Sequence, residues 1–107
     1  MGNLKEMLYE VMVEVIEVRG HCAVSYKVGD KFTVKGFYIE PVEGMAKVCI
    51  HALTSMISLL SPFLHGVSAR LLGIGEKDYE GYLQCPDPGK PYTCGGTVIF
   101  KLKRRAF

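Results

Sequence analysis

Residues 44–64 read GMAKVCIHALTSMISLLSPFL and carry the longest helical pattern in the chain. Apolar residues recur in this stretch at steps of three and four, which places them on one face of an α-helix. That face consists of Ala46, Ile50, Leu53, Ile57, Leu60 and Leu64. Because further apolar residues leave only a narrow polar edge, the helix needs cover on more than one side. The pattern predicts a helix over Ala46–Leu60 that packs on a sheet or against a partner subunit.

Four segments around this helix have the composition of β-strands. They are rich in β-branched and aromatic residues and are bounded by turn-forming residues. They are Tyr9–Arg19, Lys31–Lys35, Tyr79–Cys85 and Thr97–Lys103. The alternation of the first segment changes phase near Val15, which predicts a β-bulge or a centre buried on both faces. Dense turn residues at 86–91 predict a hairpin with a long, stiff loop between the last two segments.

The order of these segments along the chain indicates the fold class. A helix that follows two strands and precedes two more predicts an α+β domain: a small antiparallel sheet or partly closed barrel covered by one main helix. Residues 36–43 are expected to form a loop, and 67–77 fit no regular element because Gly73 and Gly75 interrupt them. With 107 residues and no linker, the chain is expected to be a single domain over 1–107.

Composition and motifs argue against several classes of protein. The net charge of +2 is too small to indicate a nucleic-acid binder. The chain has no run of about 18 apolar residues, which a membrane-spanning helix needs. Lys5 and Glu6 interrupt what would be the apolar region of a signal peptide, so we expect a cytoplasmic protein. No hydrolase, ATPase or dehydrogenase motif is present, and no catalytic residue can be assigned.

The residues that point to chemistry are four cysteines. Cys22 follows the first predicted strand, Cys49 lies in the first turn of the predicted helix, Cys85 ends the third strand, and Cys94 lies in the hairpin loop. No two of them form a CxxC motif, and any single cysteine is more often a small buried hydrophobe. However, three of them stand at the ends of elements, where free backbone N–H groups and a helix N-terminus stabilise thiolates. Soft thiolates select iron–sulfur clusters, zinc or copper(I).

Four runs of sequence resemble a known family. They are VIEVRGHC (15–22), KVGDKFTV (27–34), VCIHAL (48–53) and CPDPG (85–89). Together they resemble a small uncharacterised family of proteins of about this length, found mainly in archaea and anaerobic bacteria, with the pattern GxC…GD-F…C-HAL…CPDP. The resemblance implies that Cys22, Cys49 and Cys85 match the recurring cysteines of that family and that Cys94 does not. It also matches Gly29, Asp30, His51, Asp87 and Pro88, but brings no activity with it.

Three hypotheses follow for the function. In the first, Cys22, Cys49 and Cys85 hold an iron–sulfur cluster, or zinc as the alternative, and Cys94, a histidine or an exogenous ligand completes the site. Such a protein would exchange electrons with a redox partner protein or have an accessory role. In the second, the protein is a structural or interaction subunit whose cysteines are merely packed. In the third, it is a thiol redox protein in which Cys49 is the nucleophile.

Two histidines lie close to these cysteines in the sequence. His21 precedes Cys22, and His51 follows Cys49 by two residues, so each is a candidate zinc ligand or proton carrier. On an ideal helix, however, Cys49 and His51 point about 200° apart. We therefore expect that both do not reach one metal, and that His51 makes structural hydrogen bonds at the polar edge of the helix.

The wide apolar face of the helix predicts self-association. A domain of this size covers only part of such a helix, and a homodimer is the simplest symmetric way to cover the rest. Sedimentation velocity at micromolar concentrations is expected to show a dimer. A sample that sediments only as monomer over that range would contradict the prediction.

Overall fold

The structure is a computed structural model and describes residues 9–106. Within this range the elements, in chain order, are β1 (Tyr9–Gly20), β2 (Lys31–Lys35), β3 (Tyr38–Ile39), α1 (Ile50–Leu64), α2 (Ala69–Leu72), β4 (Glu80–Gln84) and β5 (Gly96–Ala106). The strands form one antiparallel sheet in the order β3-β2-β1-β5-β4. The predicted α+β class is therefore confirmed, with an open sheet rather than a partly closed barrel.

The central pair of the sheet is β1 with β5, and its register contains the predicted bulge. Val15 pairs with Phe100, whereas the next pair joins Glu17 to Ile99, so Ile16 has no partner across the strand. An extra residue in one strand shifts all later side chains to the opposite face. The bulge therefore explains why the apolar alternation of the sequence changes phase at this point.

One face of the sheet and α1 together form the hydrophobic core. The buried side chains of β2 and β5 on this face are Phe32, Val34, Val98, Phe100 and Leu102. Val11, Val13 and Val15 of β1 complete this face. Burial of such side chains provides the main driving force for folding, and it holds α1 across the strands.

The helix begins later than predicted, and a different face is buried. It starts at Ile50 rather than Ala46 because the N–H of Ala46 donates to the carbonyl of Lys31 and Cys49 has an extended backbone. The sheet covers Ala52, Met56, Leu60, Phe63 and Leu64, whereas Ile50 is 71% and Ile57 48% exposed. The expected face was right for Leu60 and Leu64 but wrong for Ile50 and Ile57. Because α1 is apolar nearly all round, periodicity alone cannot show which stripe meets the sheet.

Two further short elements depart from the predicted loops. Residues 36–43 contain the two-residue strand β3, which pairs with β2 at the edge of the sheet. Residues 67–77 contain α2, whose first turn is capped by the Ser68 hydroxyl and whose end is formed by Gly73 at φ +75°. The predicted hairpin of β4 and β5 is confirmed, although β4 ends at Gln84 and leaves Cys85 just beyond it. In residues 9–106 no helix has the length and apolar character needed to span a membrane.

The buried face of α1 can be tested by a pair of alanine variants. Met56 is 1% exposed, so Met56→Ala leaves a cavity and is expected to lower the free energy of unfolding by about 2–5 kcal/mol. Its neighbour Ile57 points partly to solvent, and Ile57→Ala is expected to cost no more than about 1 kcal/mol. Urea unfolding of both variants measures the difference. A larger loss of stability for Ile57→Ala than for Met56→Ala would show that the helix buries the face of Ile57 instead.

Candidate functional site

Three of the four cysteines line one cavity at the N-terminal end of α1. The cavity has a volume of about 370 Å³ and lies among the segment after β1, the start of α1 and the segment after β4. Cys22, Cys49 and Cys85 each come from a different one of these segments, and each lines it. Apolar side chains form much of the remaining wall, among them Val24, Ala52 and Val98. The fold thus brings together the three cysteines singled out from the sequence.

Cys22 reaches the cavity because the chain turns sharply at the end of β1. Gly20, at φ +80°, packs closely on its partner Gly96 in β5. A Cβ atom added to Gly96 would lie only 2.0 Å from the carbonyl oxygen of Arg19. After this close contact, the carbonyl of Cys22 accepts a hydrogen bond from the N–H of Ser25, which closes a turn. The glycines therefore permit the close approach that places the half-buried Cys22 at the cavity wall.

Cys49 is positioned by Tyr26, a residue that the sequence analysis did not single out. The Tyr26 hydroxyl donates to the carbonyl of Lys47 at 2.6 Å and accepts from the N–H of Cys49 at 2.8 Å. Its ring is buried and meets Phe100 edge-on, with centroids 5.7 Å apart. Burial raises the pKa of Tyr26, and the nearby Cys49 and Cys22 add to the rise, so the hydroxyl keeps the proton that it donates. A lone tyrosine in a loop carries no pattern from which this role can be predicted.

Cys49 is also the N-cap residue of α1. No side chain caps this end of the helix, and the first turn contains no acidic residue. The free N–H groups and the positive end of the helix dipole therefore favour negative charge beside the Cys49 thiol.

Cys85 is the most buried of the three thiols. Its sulfur accepts a hydrogen bond from the N–H of Val98 at 3.2 Å and donates to the carbonyl of Gly96 at 3.7 Å. Its own N–H donates to the carbonyl of Val98, so the residue continues the pairing with β5 beyond the end of β4. An N–H donor aimed at sulfur stabilises a thiolate and tunes a metal bound to it.

The loop after Cys85 is held over the cavity by Asp87. The Asp87 carboxylate accepts hydrogen bonds from the Thr93 hydroxyl and from the N–H of Gly89, at 2.8 Å in the latter case. These two bonds hold the pKa of Asp87 below its usual value, with the Thr93 contact the larger cause. The carbonyl of Asp87 also accepts from the Thr97 hydroxyl at 2.6 Å, which ties the loop to β5.

Both His21 and His51 line the same cavity. The expected separation of about 200° assumed that Cys49 was helical. Because Cys49 is extended and His51 belongs to α1, both residues line the cavity. Within residues 9–106, the His51 side chain has no hydrogen-bond partner, so the expected structural hydrogen bonds are not observed.

Cys94 lies apart from this group. It is exposed and lines a second cavity, of about 400 Å³, together with Arg19 and Lys90. His21 borders both cavities. The geometry therefore separates Cys94 from the other three cysteines.

The three thiols do not form a ready site for one metal ion. In the described part of the chain, no three histidine, cysteine, aspartate or glutamate side chains are arranged so that they could hold an ion. All four cysteines are free thiols. The arrangement therefore offers three thiols that line one cavity.

The role of Tyr26 can be tested by Tyr26→Phe. Loss of the hydroxyl leaves the Lys47 carbonyl and the Cys49 N–H without their partner, which is expected to cost about 1–3 kcal/mol of stability. Labelling with a thiol reagent, followed by mass spectrometry, is expected to show faster modification of Cys49 relative to Cys94. Tyr92→Phe, at an exposed position, is the control. Unchanged stability together with unchanged labelling of Cys49 would contradict this role.

Comparisons with known proteins do not assign the chain to a family. The sequence matches no protein-family model, and searches of curated proteins and of solved structures returned no significant match. The function is therefore inferred from the geometry of the cavity and the chemistry of the residues that line it.

Proposed function

We propose that the protein is a small metal-binding protein that holds an iron–sulfur cluster through Cys22, Cys49 and Cys85. The observation that supports this most strongly is that three cysteines far apart in the sequence line one cavity. Thiolates are the usual protein ligands of iron–sulfur clusters. Cys22 and Cys49 are only half-buried, which is less typical of cysteines that serve merely as packing.

The surroundings of the cavity favour the negative charge of a thiolate-bound cluster. The N–H of Val98 points at the sulfur of Cys85, and the uncapped N-terminus of α1 lies at Cys49. Among residues 9–106, the acidic side chain at the cavity wall is Asp87, whose carboxylate accepts the Gly89 N–H and the Thr93 hydroxyl of its own loop. Hydrogen bonds to sulfur and local positive charge also set the reduction potential of such clusters.

We place a cluster ahead of zinc in this proposal. Zinc in a structural site draws sulfur ligands to about 2.3 Å from one ion, which requires the sulfurs to converge closely. No three potential ligands in the described part of the chain have such an arrangement. A cluster places its ligands around a larger core, which a cavity of about 370 Å³ can accommodate. Zinc remains the alternative that metal analysis distinguishes.

Electron transfer is the activity that such a site would support. Exposed residues rim the cavity, including His21, His51, Pro86 and Pro88, so a cluster there would lie close to the surface. A redox partner protein could then approach it directly. Four free thiols also suit a reducing, cytoplasmic environment.

A specific feature favours a second candidate, thiol redox chemistry at Cys49. Cys49 is the N-cap residue of α1, a position typical of reactive cysteines, and in this reading its sulfur attacks the disulfide of a partner. The attack forms a mixed disulfide and releases the thiolate of the other partner sulfur. Cys22, on the same cavity, is the residue that could then displace the bound partner and form an internal disulfide.

Serine variants test the proposed cluster. After anaerobic reconstitution with iron and sulfide, the wild-type protein is expected to show broad visible absorption and to bind both elements. Cys22→Ser, Cys49→Ser and Cys85→Ser are each expected to lose most of the bound iron, because a hydroxyl is a harder and less acidic ligand than a thiol. Iron, sulfide and zinc analyses provide the measurement.

Cys94→Ser is the matched control for these variants. It removes a cysteine from the second cavity and is expected to leave the bound iron unchanged. Full retention of iron in all three cavity variants would refute the proposal. A colourless, metal-free wild type that forms mixed disulfides through Cys49 would instead support thiol redox chemistry.

A further inference from the structure

An apolar groove opens on the α1 side of the sheet, where the sheet ends at β3. It has a volume of about 370 Å³, and its wall includes Phe37, Ile39, Leu53 and Ile57. No aspartate, glutamate, lysine or arginine lines it. Phe37 is 82% exposed and packs against the ring of His65 beyond the end of α1. Among residues 9–106 no strand lies beyond β3, so this flank of α1 has no sheet beneath it.

The backbone of β3 presents one pair of hydrogen-bonding groups outward. The N–H of Glu40 donates to the carbonyl of Thr33, and bonded pairs alternate with non-bonded pairs along an antiparallel ladder. The pair that joins Ile39 to Val34 is therefore a non-bonded pair, so the N–H and C=O of Ile39 point away from β2. Within residues 9–106 neither group has a partner. Such an edge is a template on which another strand can pair.

We infer that this edge is the contact between two copies of the chain, in which β3 pairs with β3 of the second copy about a two-fold axis at Ile39. The N–H and C=O of one Ile39 then bond to the C=O and N–H of the other, which joins the two sheets into one. Because the axis is perpendicular to the sheet, both α1 helices lie on the same side and the two grooves face each other. Phe37 and Ile57 are buried by this contact, which favours association.

The charges at this edge are complementary in a two-fold pair. Tyr38 of one copy lies opposite Glu40 of the other, where a phenol hydroxyl can donate to a carboxylate. The register keeps the two Glu40 side chains apart, and none of the four charged residue types has to leave water from the groove wall. Pro41 has no N–H, so the ladder is short and most of the affinity comes from the apolar contact. The inference gives a location to the dimer that the apolar helix predicts, and it does not depend on the proposed cluster.

Sedimentation velocity of the full chain with two matched lysine variants tests the contact. The wild type is expected to form a dimer at micromolar concentrations. Ile57→Lys is expected to raise the dissociation constant at least about tenfold, because the two-fold axis brings two ammonium groups into an apolar contact. Ile50→Lys is the control, since Ile50 is exposed on the same helix but does not line the groove, and it is expected to leave the dissociation constant unchanged.

Amide hydrogen exchange of the wild type provides a second measurement that needs no variant. Exchange at the N–H of Ile39 is expected to slow as the protein concentration rises through the dissociation constant. Exchange at Tyr38, which already pairs with Lys35 of β2, is expected to stay the same. A chain that remains monomeric, or a dimer in which Ile39 exchanges at the rate of the monomer, would overturn the inference. Equal weakening of the dimer by Ile57→Lys and Ile50→Lys would overturn it as well.

Discussion

The geometry of the site depends on one hydroxyl group, that of Tyr26. Its two hydrogen bonds join the segment before α1 to the core, because the ring that carries the hydroxyl is buried against Phe100. The bond from the N–H of Cys49 holds this residue outside the helix, in an extended conformation. Had the helix begun one turn earlier, Cys49 and His51 would point in nearly opposite directions. The start of α1 therefore decides which side chains share the cavity.

The architecture was largely predictable because it follows from local patterns. Alternation of apolar residues located the long strands, and the phase change at Val15 predicted the bulge. The orientation of α1 was not predictable in the same way. Its residues are apolar on almost every side, and only contact with the sheet distinguishes Met56, which is buried, from Ile57, which is exposed. The short elements β3 and α2 depend on tertiary contacts and gave no strong local signal.

The grouping of three cysteines around one cavity could be anticipated from the sequence, whereas the contacts that hold them in place could not. Cys22, Cys49 and Cys85 were singled out because they stand at the ends of elements, and these ends meet at one cavity. The supporting contacts join residues far apart in the chain, such as Tyr26 to Cys49 and Val98 to Cys85. No local pattern encodes such pairs. The same is true of His51, whose place at the cavity depends on the backbone conformation of Cys49.

The pairing of Cys85 with β5 has a consequence for the order in which the site is assembled. The sulfur of Cys85 obtains its N–H donor from Val98 of β5, and the turn at Cys22 follows the close pairing of Gly20 with Gly96 of β5. During synthesis the last strand leaves the ribosome after all three cysteines. The walls of the cavity are therefore complete only once β5 has been synthesised and has paired with β1 and β4.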